Sequence, residues 1–409
     1  MRIAIVGGGI AGLSLALNLH KRGIACTVYE AAPAIKELGV GITLLPHAMR
    51  ELAALGLQTE LEQHGIVNQT SAFFNRFGQM IYQEPRGRAA GYPYPEVGIH
   101  RGRLHGILLN AARRCLDGER LFTNHRCSGL SQDEAGVTLH FTETSTDQRL
   151  PDVHADVVIA CDGVNSAIRR TFYPSEKLVF TGINTWRGVT RHRPILSGRT
   201  YVRIGSIKTA KLILYPIMDN IDGDGRQLIN WSTELETKGT SMNDWNTPGR
   251  IADFIDFYQD WRFDWLDVPA LIRGADTLFE YPMVDKNPID QWTFGGVTLV
   301  GDAAHPMYPR GSNGSAQALI DARTLAECLA GELDPRNALK RYEELRCTAT
   351  ARVVLTNRST PPDIINIRVE ELTHDRPFGN LDDHISQAEL KELSDAYKRV
   401  AGFDLADLR

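Results

Sequence analysis

The 409-residue sequence lacks the hallmarks of several large classes of protein. No apolar stretch approaches the roughly 20 residues that cross a bilayer, which argues against a membrane-spanning helix. No block of lysine and arginine occurs, and the net charge of -5 gives no electrostatic footprint for nucleic-acid binding. The six cysteines form no C-x-x-C pair, which is typical of free thiols in a reducing compartment.

Motifs of metal and covalent catalysis are also missing. The sequence contains no H-E-x-x-H, no G-x-S-x-G and no cluster of histidine and cysteine with metal spacing. The apolar run from Met1 to Val6 is short, carries Arg2 and leads directly into glycines, so it predicts a first strand rather than a signal peptide. We therefore expect a cytoplasmic monomer or homodimer with no metal, no membrane span and no nucleic-acid partner.

The order of apolar runs and glycine turns predicts a doubly wound α/β domain. The strand Ile3 to Val6, the helix Ile10 to Lys21 and the strand Ala25 to Tyr29 make one βαβ unit. The pattern changes from Thr185 to Trp231, where strand-like runs alternate with turns and predict an antiparallel sheet in an inserted domain. A buried strand returns at Gly295 to Val300, so the first domain is expected to be discontinuous.

Further helical segments are predicted in the middle and in the tail of the chain. One covers Ile251 to Trp261, and another ends the polar tail that begins near Thr360. Ser386 and Glu389 form a capping box at the start of the tail helix. Amphipathic helices usually pack on their own chain, which is the arrangement we expect here, with a pocket cover or a second subunit as the alternatives.

The first motif with chemical meaning is Gly7-x-Gly9-x-x-Gly12, between the first strand and the first helix. Gly7 permits the tight turn, Gly9 lets the backbone approach a pyrophosphate, and Gly12 lets helix and strand pack closely. The helix N-terminus adds free N–H groups and a positive dipole end. Glu30 ends the second strand, where a carboxylate binds a ribose diol and repels a 2′-phosphate. The motif predicts FAD or NAD rather than NADP, and a glycine turn without a ligand is the plain alternative.

Two further motifs follow buried strands. Asp302, within Gly301-Asp302-Ala303-Ala304-His305-Pro306, can accept hydrogen bonds from a sugar-alcohol chain. The helix after it begins near Gly311 and Gly314 and can direct N–H groups at an electron-rich ring edge, which suits a flavin. The third motif is Cys161-Asp162-Gly163-x-x-Ser166-x-x-Arg169. By itself it is a strand-to-helix turn that offers phosphate or structural contacts.

Together the three motifs resemble those of the single-component FAD-dependent aromatic hydroxylases of the para-hydroxybenzoate hydroxylase type, in the same order and at similar separations. The resemblance extends to about Arg358. Within the family the sequence is most similar to the phenazine hydroxylases of pyocyanin biosynthesis. The stretches that carry this likeness are LGVGI at 38–42, EPRG at 84–87, WRGVT at 186–190, YPMVD at 281–285 and MYP at 307–309. Arg310 and the long tail depart from that pattern.

The resemblance implies roles for individual residues in cofactor binding. The glycine loop would bind the FAD diphosphate, and Glu30 the adenosine ribose. Arg101 resembles the arginine that meets the phosphate and ribityl region of the flavin, and Asp302 would meet the ribityl chain. Asp162 and Gly163 match a turn that this family uses near FAD and NAD(P)H. Because the sequence has no second G-x-G-x-x-G, NADH or NADPH is expected to bind transiently.

The resemblance also implies a reaction, the hydroxylation of a small aromatic or N-heteroaromatic substrate. NAD(P)H and dioxygen would act through a flavin C4a-hydroperoxide, and the substrate class includes aromatic carboxylates. Pro306, Pro309 and Gly311 would shape the face of the flavin where this hydroperoxide forms. Arg310 would attract an anionic substrate or the flavin pyrimidine, or else face solvent. Arg187 and Tyr215 lie on predicted strands and would line the pocket, although a strand arginine is as often a surface group.

Three other residues are expected to have structural roles. His305 is expected to orient its loop by hydrogen bonding rather than to act as a general base. Trp186 and Trp231 are expected in a hydrophobic core.

On this interpretation a Rossmann-like FAD-binding domain carries an inserted α+β substrate domain and a C-terminal helical tail. The FAD-binding segments are 1–70, 99–176 and 291–358, the substrate-domain segments are 71–98 and 177–290, and the tail is 359–409. A reductase, dehydrogenase or halogenase on the same fold stays open, although the W-x-W-x-I-P signature of halogenases is absent. A non-catalytic flavoprotein that acts as an interaction module also stays open.

Overall fold

A computed structural model of the chain describes residues 1–34, 39–116, 120–237, 247–359, 363–402 and 404–405. Leu38, the first residue of one stretch that carries the family resemblance, lies outside these residues. So do Thr360, Pro361 and Pro362 at the start of the tail. Within the described residues, no helix is both long and apolar enough to cross a membrane.

The first sheet lies at the centre of the predicted α/β domain. Its strands are, in spatial order, Thr293–Phe294, Val297–Leu299, Val157–Ala160, Ile3–Val6, Thr27–Tyr29 and Leu121–Phe122. All neighbours are parallel except the first two, which are antiparallel. The central strand Ile3–Val6 is buried along its whole length, because a parallel sheet is covered on both faces.

Helices cover this sheet, and the described chain also contains three smaller, separate sheets. The α-helices of the described chain are Ile10–Lys21, Pro46–Ala54, Gln58–His64, Arg101–Cys115, Ala167–Phe172, Val268–Arg273, Gly314–Gly331, Pro335–Ser359, Ile364–Thr373 and Gln387–Ala401. One small sheet joins Gly41–Leu44, Glu96–His100 and Ile66–Asn68, another joins Val153–Ala155, Gly136–Glu143 and His125–Asp133, and a two-stranded one joins Arg262–Phe263 and Leu266–Asp267.

The large sheet forms the predicted inserted domain. Its strands are, in spatial order, Thr247–Pro248, Ala275–Asp285, Val179–His192, Gln227–Glu236, Ala210–Met218, Thr200–Ser206, Thr70–Phe74 and Met80–Pro85. Only the pair of Thr200–Ser206 with Thr70–Phe74 is parallel. The inner face of this sheet meets the first domain, where the Gly41 N–H donates to Asn230 Oδ1 at 2.7 Å.

The outer face of the large sheet has its own hydrophobic core. Trp186 and Trp231 are buried there, as expected from the sequence. The Phe254 ring stacks on Trp186 with a centroid distance of 4.9 Å. This contact explains why the helix predicted over Ile251 to Trp261 is wrong. The segment forms two short 3₁₀ turns, because Phe254 between them takes a non-helical conformation with φ -143°.

The tail packs on its own chain, as predicted. Its helices Ile364–Thr373 and Gln387–Ala401 share a hydrophobic cluster with Phe73, Ile81 and Tyr82 at the edge of the large sheet. The predicted capping box is present, with the Glu389 N–H donating to Ser386 Oγ and the Ser386 N–H donating to Glu389 Oε2. The helix Ile364–Thr373 was not predicted, because the polar residues around it hide its narrow apolar face.

The fold class is therefore confirmed, with a parallel Rossmann-like sheet, a mostly antiparallel second sheet and a helical tail. The boundaries drawn between the domains stay a prediction.

All six cysteines are free, and four of them are buried.

Candidate active site

The glycine loop follows the central strand of the first sheet. Its three motif glycines differ in the space available for a side chain. At Gly7, with φ 106°, a β-carbon would lie 2.3 Å from the carbonyl oxygen of Cys161. At Gly12 it would lie 1.9 Å from the carbonyl oxygen of Gly7. At Gly9 it would meet no atom of the described residues within 4 Å, and none of their side chains caps the helix that begins there. Two glycines are thus required by packing, and the third leaves the helix N-terminus open to an anion.

Glu30 lies beside this loop at the end of its strand. Its carboxylate accepts the N–H of Gly8 at 2.6 Å and the N–H of Ala32 at 2.7 Å. His105 approaches from the helix Arg101–Cys115, with Nε2 at 2.6 Å from the carbonyl oxygen of Gly8. Sequence reasoning missed His105. Its only signal was its position four residues after Arg101, which places both on one face of a helix.

Arg101 and Asp302 come from distant parts of the chain and lie near one another. Arg101 opens its helix with an exposed side chain, and its N–H donates to the carbonyl oxygen of Val40 at 3.0 Å. Asp302 is exposed to solvent, yet the surrounding protein raises its pKa while the Arg101 guanidinium opposes that rise. A β-carbon on Gly314 would lie 3.9 Å from Asp302 Oδ1, so the next helix begins beside Asp302.

The third motif is tied to the second by a buried arginine. Asp162 Oδ2 accepts the N–H of Ala167 at 2.9 Å, whereas Oδ1 is buried without a hydrogen-bond partner among the described residues. Burial raises the pKa of Asp162. Gly163 follows with φ 77°. The fully buried Arg169 donates to the carbonyl oxygens of Ala303 at 2.9 Å and Ala304 at 2.6 Å, a structural contact that holds the turn around Asp302.

A turn over residues 309–314, here called the 309–314 turn, follows this motif. Pro309 is exposed, and Gly311 has φ 76°. Arg310 is buried, with a guanidinium nitrogen 3.5 Å from Asp363 Oδ2 at the start of a tail helix. The alternative that Arg310 faces solvent is therefore wrong, because the tail covers it.

His305 has the orienting role that the sequence predicted. Its Nε2 lies 2.5 Å from Asp321 Oδ2, and Asp321 Oδ1 accepts from Arg346 Nε at 2.7 Å. The Gly301 N–H also donates to Asp321, at 3.1 Å. This buried network fixes the loop that carries Asp302.

Arg187 and Tyr215 both lie on the inner face of the large sheet. Tyr215 is buried and stacks on Tyr201 with a centroid distance of 4.9 Å. Arg187 is half-buried with its guanidinium 5.8 Å from the Tyr281 ring, and its Nε is buried without a partner among the described residues. The Arg187 charge acts on both tyrosines, so these residues share one region.

Sequence reasoning missed Arg203, which is 6% exposed on the same face. The guanidinium lies 4.4 Å from the Tyr201 ring and 4.9 Å from the Phe73 ring, and it donates to Ser71 Oγ at 2.8 Å. No carboxylate among the described residues lies within 4 Å of it. The only sequence feature that pointed to Arg203 was its alternation with Tyr201 along one strand. Such alternation shows that two side chains share a face of the sheet, but not which segment packs against that face.

Arg203 opens onto a small cavity, of about 20 Å³, between the large sheet, the 309–314 turn and the tail. Residues that line it include Phe73, Glu84, Arg86, Arg203, Gly311, Tyr397 and Lys398. Two of its three cations are paired, Arg86 with Glu96 at 2.7 Å and Lys398 with Glu84 at 2.8 Å. Among the described residues that line the cavity, Arg203 is the cation that has no carboxylate partner and can attract an anion.

These residues fit an FAD molecule. An open helix N-terminus at Gly9 suits a diphosphate, and Glu30 suits a ribose diol. Arg101 and Asp302 are both exposed, and Asp162 Oδ1 is buried without a hydrogen-bond partner among the described residues. Within the described chain, no group of three or more histidine, cysteine or carboxylate side chains could hold a metal ion.

Comparison with known proteins agrees with this geometry. Residues 1–191 and 280–357 match the sequence model of a family described as an FAD binding domain. Phenazine 1,6-dicarboxylic acid hydroxylase PhzS of Lysobacter antibioticus is 37% identical over 361 residues, which cover 87% of this chain and 89% of that protein. The 3-amino-4-hydroxybenzoate 2-monooxygenase PtmB3 of Streptomyces platensis is 32% identical over 353 residues and 84% of each chain.

Solved structures share the fold. The crystal structure of Klebsiella pneumoniae HpxO with FAD and uric acid has a TM-score of 0.76 at 23% identity and covers 100% of this chain and 96% of its own. A salicylate hydroxylase in a substrate complex has a TM-score of 0.74 at 20% identity, over 99% of this chain and 96% of its own. At these identities the likeness establishes the fold alone.

Proposed function

The chain belongs to the FAD-dependent aromatic hydroxylases, and from this premise we propose that its substrate is a small aromatic or N-heteroaromatic carboxylate. NAD(P)H and dioxygen are the proposed co-substrates. One oxygen atom enters the ring as a hydroxyl group and the other leaves as water, with the nicotinamide hydride and one proton completing the balance. The observation that carries the choice of an acid is the buried guanidinium of Arg203, which has no carboxylate within 4 Å among the described residues.

Bound FAD supplies the redox chemistry, and the protein supplies binding, orientation and exclusion of water. The residues proposed to hold FAD are Gly7, Gly9, Gly12, Glu30, Arg101, Asp162, Gly163, Asp302 and Gly314. Pro309, Arg310 and Gly311 are proposed to shape the neighbouring face. The buried contacts of Arg169 and Asp321 support this assignment, because both hold the backbone around Asp302.

Arg203 is proposed to bind the substrate carboxylate. A carboxylate pairs well with a guanidinium through two parallel hydrogen bonds, and the pair strengthens where water is excluded. The aromatic rings of Phe73 and Tyr201 around Arg203 offer surfaces on which a planar substrate packs. The homologues support this substrate class, since their names give a phenazine dicarboxylic acid and an aminohydroxybenzoate as substrates.

Tyr215 and Arg187 are proposed to orient the ring of the substrate. Burial raises the pKa of Tyr215, so its hydroxyl keeps its proton at neutral pH and acts as a hydrogen-bond donor rather than a base. The partnerless Nε of Arg187 is a second donor in the same region.

The test is NAD(P)H-dependent oxygen uptake by the FAD-loaded protein with a panel of aromatic acids, each beside its neutral carboxamide. We expect an acid to stimulate uptake and to gain one oxygen, or to exchange carboxyl for hydroxyl, while its amide does neither. Arg203→Met should lower kcat/KM for the acid about 10- to 150-fold, the value of a hydrogen bond to a charged group. Arg203→Lys should restore part of this loss.

Arg199→Met is the matched control, because Arg199 is exposed just before the same strand. It should leave kcat/KM near that of the parent protein. If acid and amide work equally well, the carboxylate proposal fails. If no ligand changes oxygen uptake and the flavin is reduced equally well without oxygen, the chain is a reductase or a binding module instead.

A further inference from the structure

The C-terminal helix Gln387–Ala401, here called the tail helix, brings polar side chains to the cavity beside Arg203. Ser394, Tyr397 and Lys398 follow one another at helical spacing, so they share one face. Ser394 Oγ and Lys398 Nζ both donate to Glu84 Oε2 at 2.8 Å. This face is therefore anchored to the large sheet on the side where the cavity opens.

Tyr397 is the residue of this face that reaches the 309–314 turn. Its hydroxyl donates to Asn357 Oδ1 at 2.9 Å and lies 3.4 Å from the carbonyl oxygen of Arg310. A β-carbon on Gly311 would lie 1.9 Å from this hydroxyl. The turn and the tail helix are thus in direct contact at a position where only glycine fits.

The ring of Tyr397 also has a hydrophobic setting. It is 4% exposed and packs in a small cluster with Leu45, Tyr92 and Ala401. Because Leu45 follows the strand Gly41–Leu44 of the first domain, the cluster joins the tail to the half of the protein that carries Arg101 and Asp302.

From these contacts we infer that Tyr397 is a specificity-determining and positioning residue of the active site. Its ring lines the same cavity as Arg203, so the bulk of this ring limits the size of the aromatic substrate that the cavity admits. Its hydroxyl holds the 309–314 turn in place and helps to exclude water. The inference rests on the proposed function, since it concerns the same cavity, but it assigns a role to the tail that the proposed function does not need.

A pair of substitutions separates the two roles of the side chain. Tyr397→Phe keeps the ring and removes the hydroxyl, so we expect little change in substrate size but a rise of about 2- to 10-fold in the share of oxygen released as hydrogen peroxide, the value of one neutral hydrogen bond. Tyr397→Leu keeps an apolar side chain and shortens it. This variant should bind a larger aromatic acid more tightly than the parent protein and raise KM for the smaller acid more than it lowers kcat.

Tyr258→Phe is the matched control. Tyr258 is also fully buried, and its hydroxyl donates to the carbonyl oxygen of Lys211 at 2.8 Å in the outer core of the large sheet. Tyr258→Phe should lose about as much stability as Tyr397→Phe, but it should release the same share of oxygen as hydrogen peroxide as the parent protein. Binding of the acids is measured by calorimetry, and the dissociation constant of FAD by titration of the apoprotein, so that neither depends on turnover.

The inference is overturned if both Tyr397 variants melt at lower temperature but keep the peroxide share, KM and ligand preference of the parent protein, because the tail would then serve stability alone. A parent protein with no ligand-dependent oxygen uptake contradicts the proposed function instead. In that case calorimetry still tests whether Tyr397 limits ligand size. A larger aromatic acid should bind Tyr397→Leu more tightly than the parent protein, and equal affinity would contradict the inference.

Discussion

His305 Nε2 and Asp321 Oδ2 lie 2.5 Å apart in the interior of the first domain, where both side chains are almost fully buried. The same carboxylate accepts from Arg346 and from the backbone N–H of Gly301. One buried anion therefore holds the start of the loop that carries Asp302. Removal of that anion leaves its partners buried and unmatched, which is costly.

Asp321→Asn is accordingly expected to lower the free energy of unfolding by about 3–5 kcal/mol at pH 7. Burial favours the neutral acid, but His305 and Arg346 outweigh it and lower the pKa of Asp321 to about 2. The stabilisation is therefore complete above about pH 4 and is lost as pH falls through about 2. In thermal unfolding experiments, the difference in melting temperature between the parent protein and Asp321→Asn should decrease as the pH is lowered towards 2.

The exposed pair Arg191–Asp276, at 3.7 Å, provides the control for this experiment. Asp276→Asn should change stability by about 0–1 kcal/mol, as is usual for surface ion pairs. Equal effects of the two substitutions would contradict a special role for Asp321.

His47 predicts a second, separate pH dependence. Burial lowers the pKa of this side chain to about 4 from its ordinary value of 6.5. Because the unfolded chain binds a proton that the folded one does not, stability should fall by about 3 kcal/mol as pH drops from 6.5 to 4. His47→Gln should flatten this part of the profile of melting temperature against pH. His20→Gln, at an exposed position on a helix of the first domain, should leave the slope intact.

Substitutions of two glycines in the loop should have opposite consequences. Gly9→Ala should fold normally, because its β-carbon meets nothing within 4 Å, yet weaken FAD binding about 10- to 100-fold by keeping the diphosphate from the backbone. Gly12→Ala should destabilise the apoprotein, because its β-carbon would meet the carbonyl oxygen of Gly7. Melting temperature of the apoprotein and FAD titration together distinguish these outcomes.

Gly129→Ala serves as the control for the loop. It also has space for a methyl group, but it lies in the strand His125–Asp133, away from the loop. If this variant binds FAD as weakly as Gly9→Ala, the diphosphate is not held at the loop.

Arg169 should affect FAD binding without touching FAD. It holds the carbonyl oxygens of Ala303 and Ala304, next to Asp302. Arg169→Lys cannot keep both contacts and the ion pair with Glu176, so it should raise the FAD dissociation constant about tenfold and lower the melting temperature. The neighbouring exposed Arg170, changed to Lys, should do neither. A normal FAD affinity in Arg169→Lys would contradict the positioning role.

The part of the site that was predictable is local in sequence. The glycine loop, its strand and its helix lie within about 20 residues, and their spacing alone specifies a turn open to an anion. Asp162 and Asp302 follow two strands that pair in parallel. Their position at one edge of the sheet was also predictable, because the carboxyl ends of neighbouring parallel strands meet at the same edge. The capping box of the tail helix is equally local, since its two residues are three positions apart.

Contacts between distant segments were not predictable. Arg203 and Gly311 are more than 100 residues apart, and only the packing of the large sheet against the first domain places them around one cavity. Phe254 breaks a predicted helix because the core around Trp186 requires its ring there. From the sequence, an exposed position for Arg310 was as plausible as a buried one. In the structure, Asp363 of the tail lies 3.5 Å from the guanidinium of Arg310.

The sequence by itself determined the cofactor-binding half, because phosphate and ribose recognition depend on backbone turns and strand ends that short motifs encode. The tertiary structure decided the substrate half. Whether Arg203 has a carboxylate partner and whether Tyr397 lines the cavity depend on which segments pack against the large sheet. Alternation along a strand shows only which residues share a face. The meeting of the inner sheet face, the 309–314 turn and the tail helix sets the cavity, and it exists only once the chain has folded.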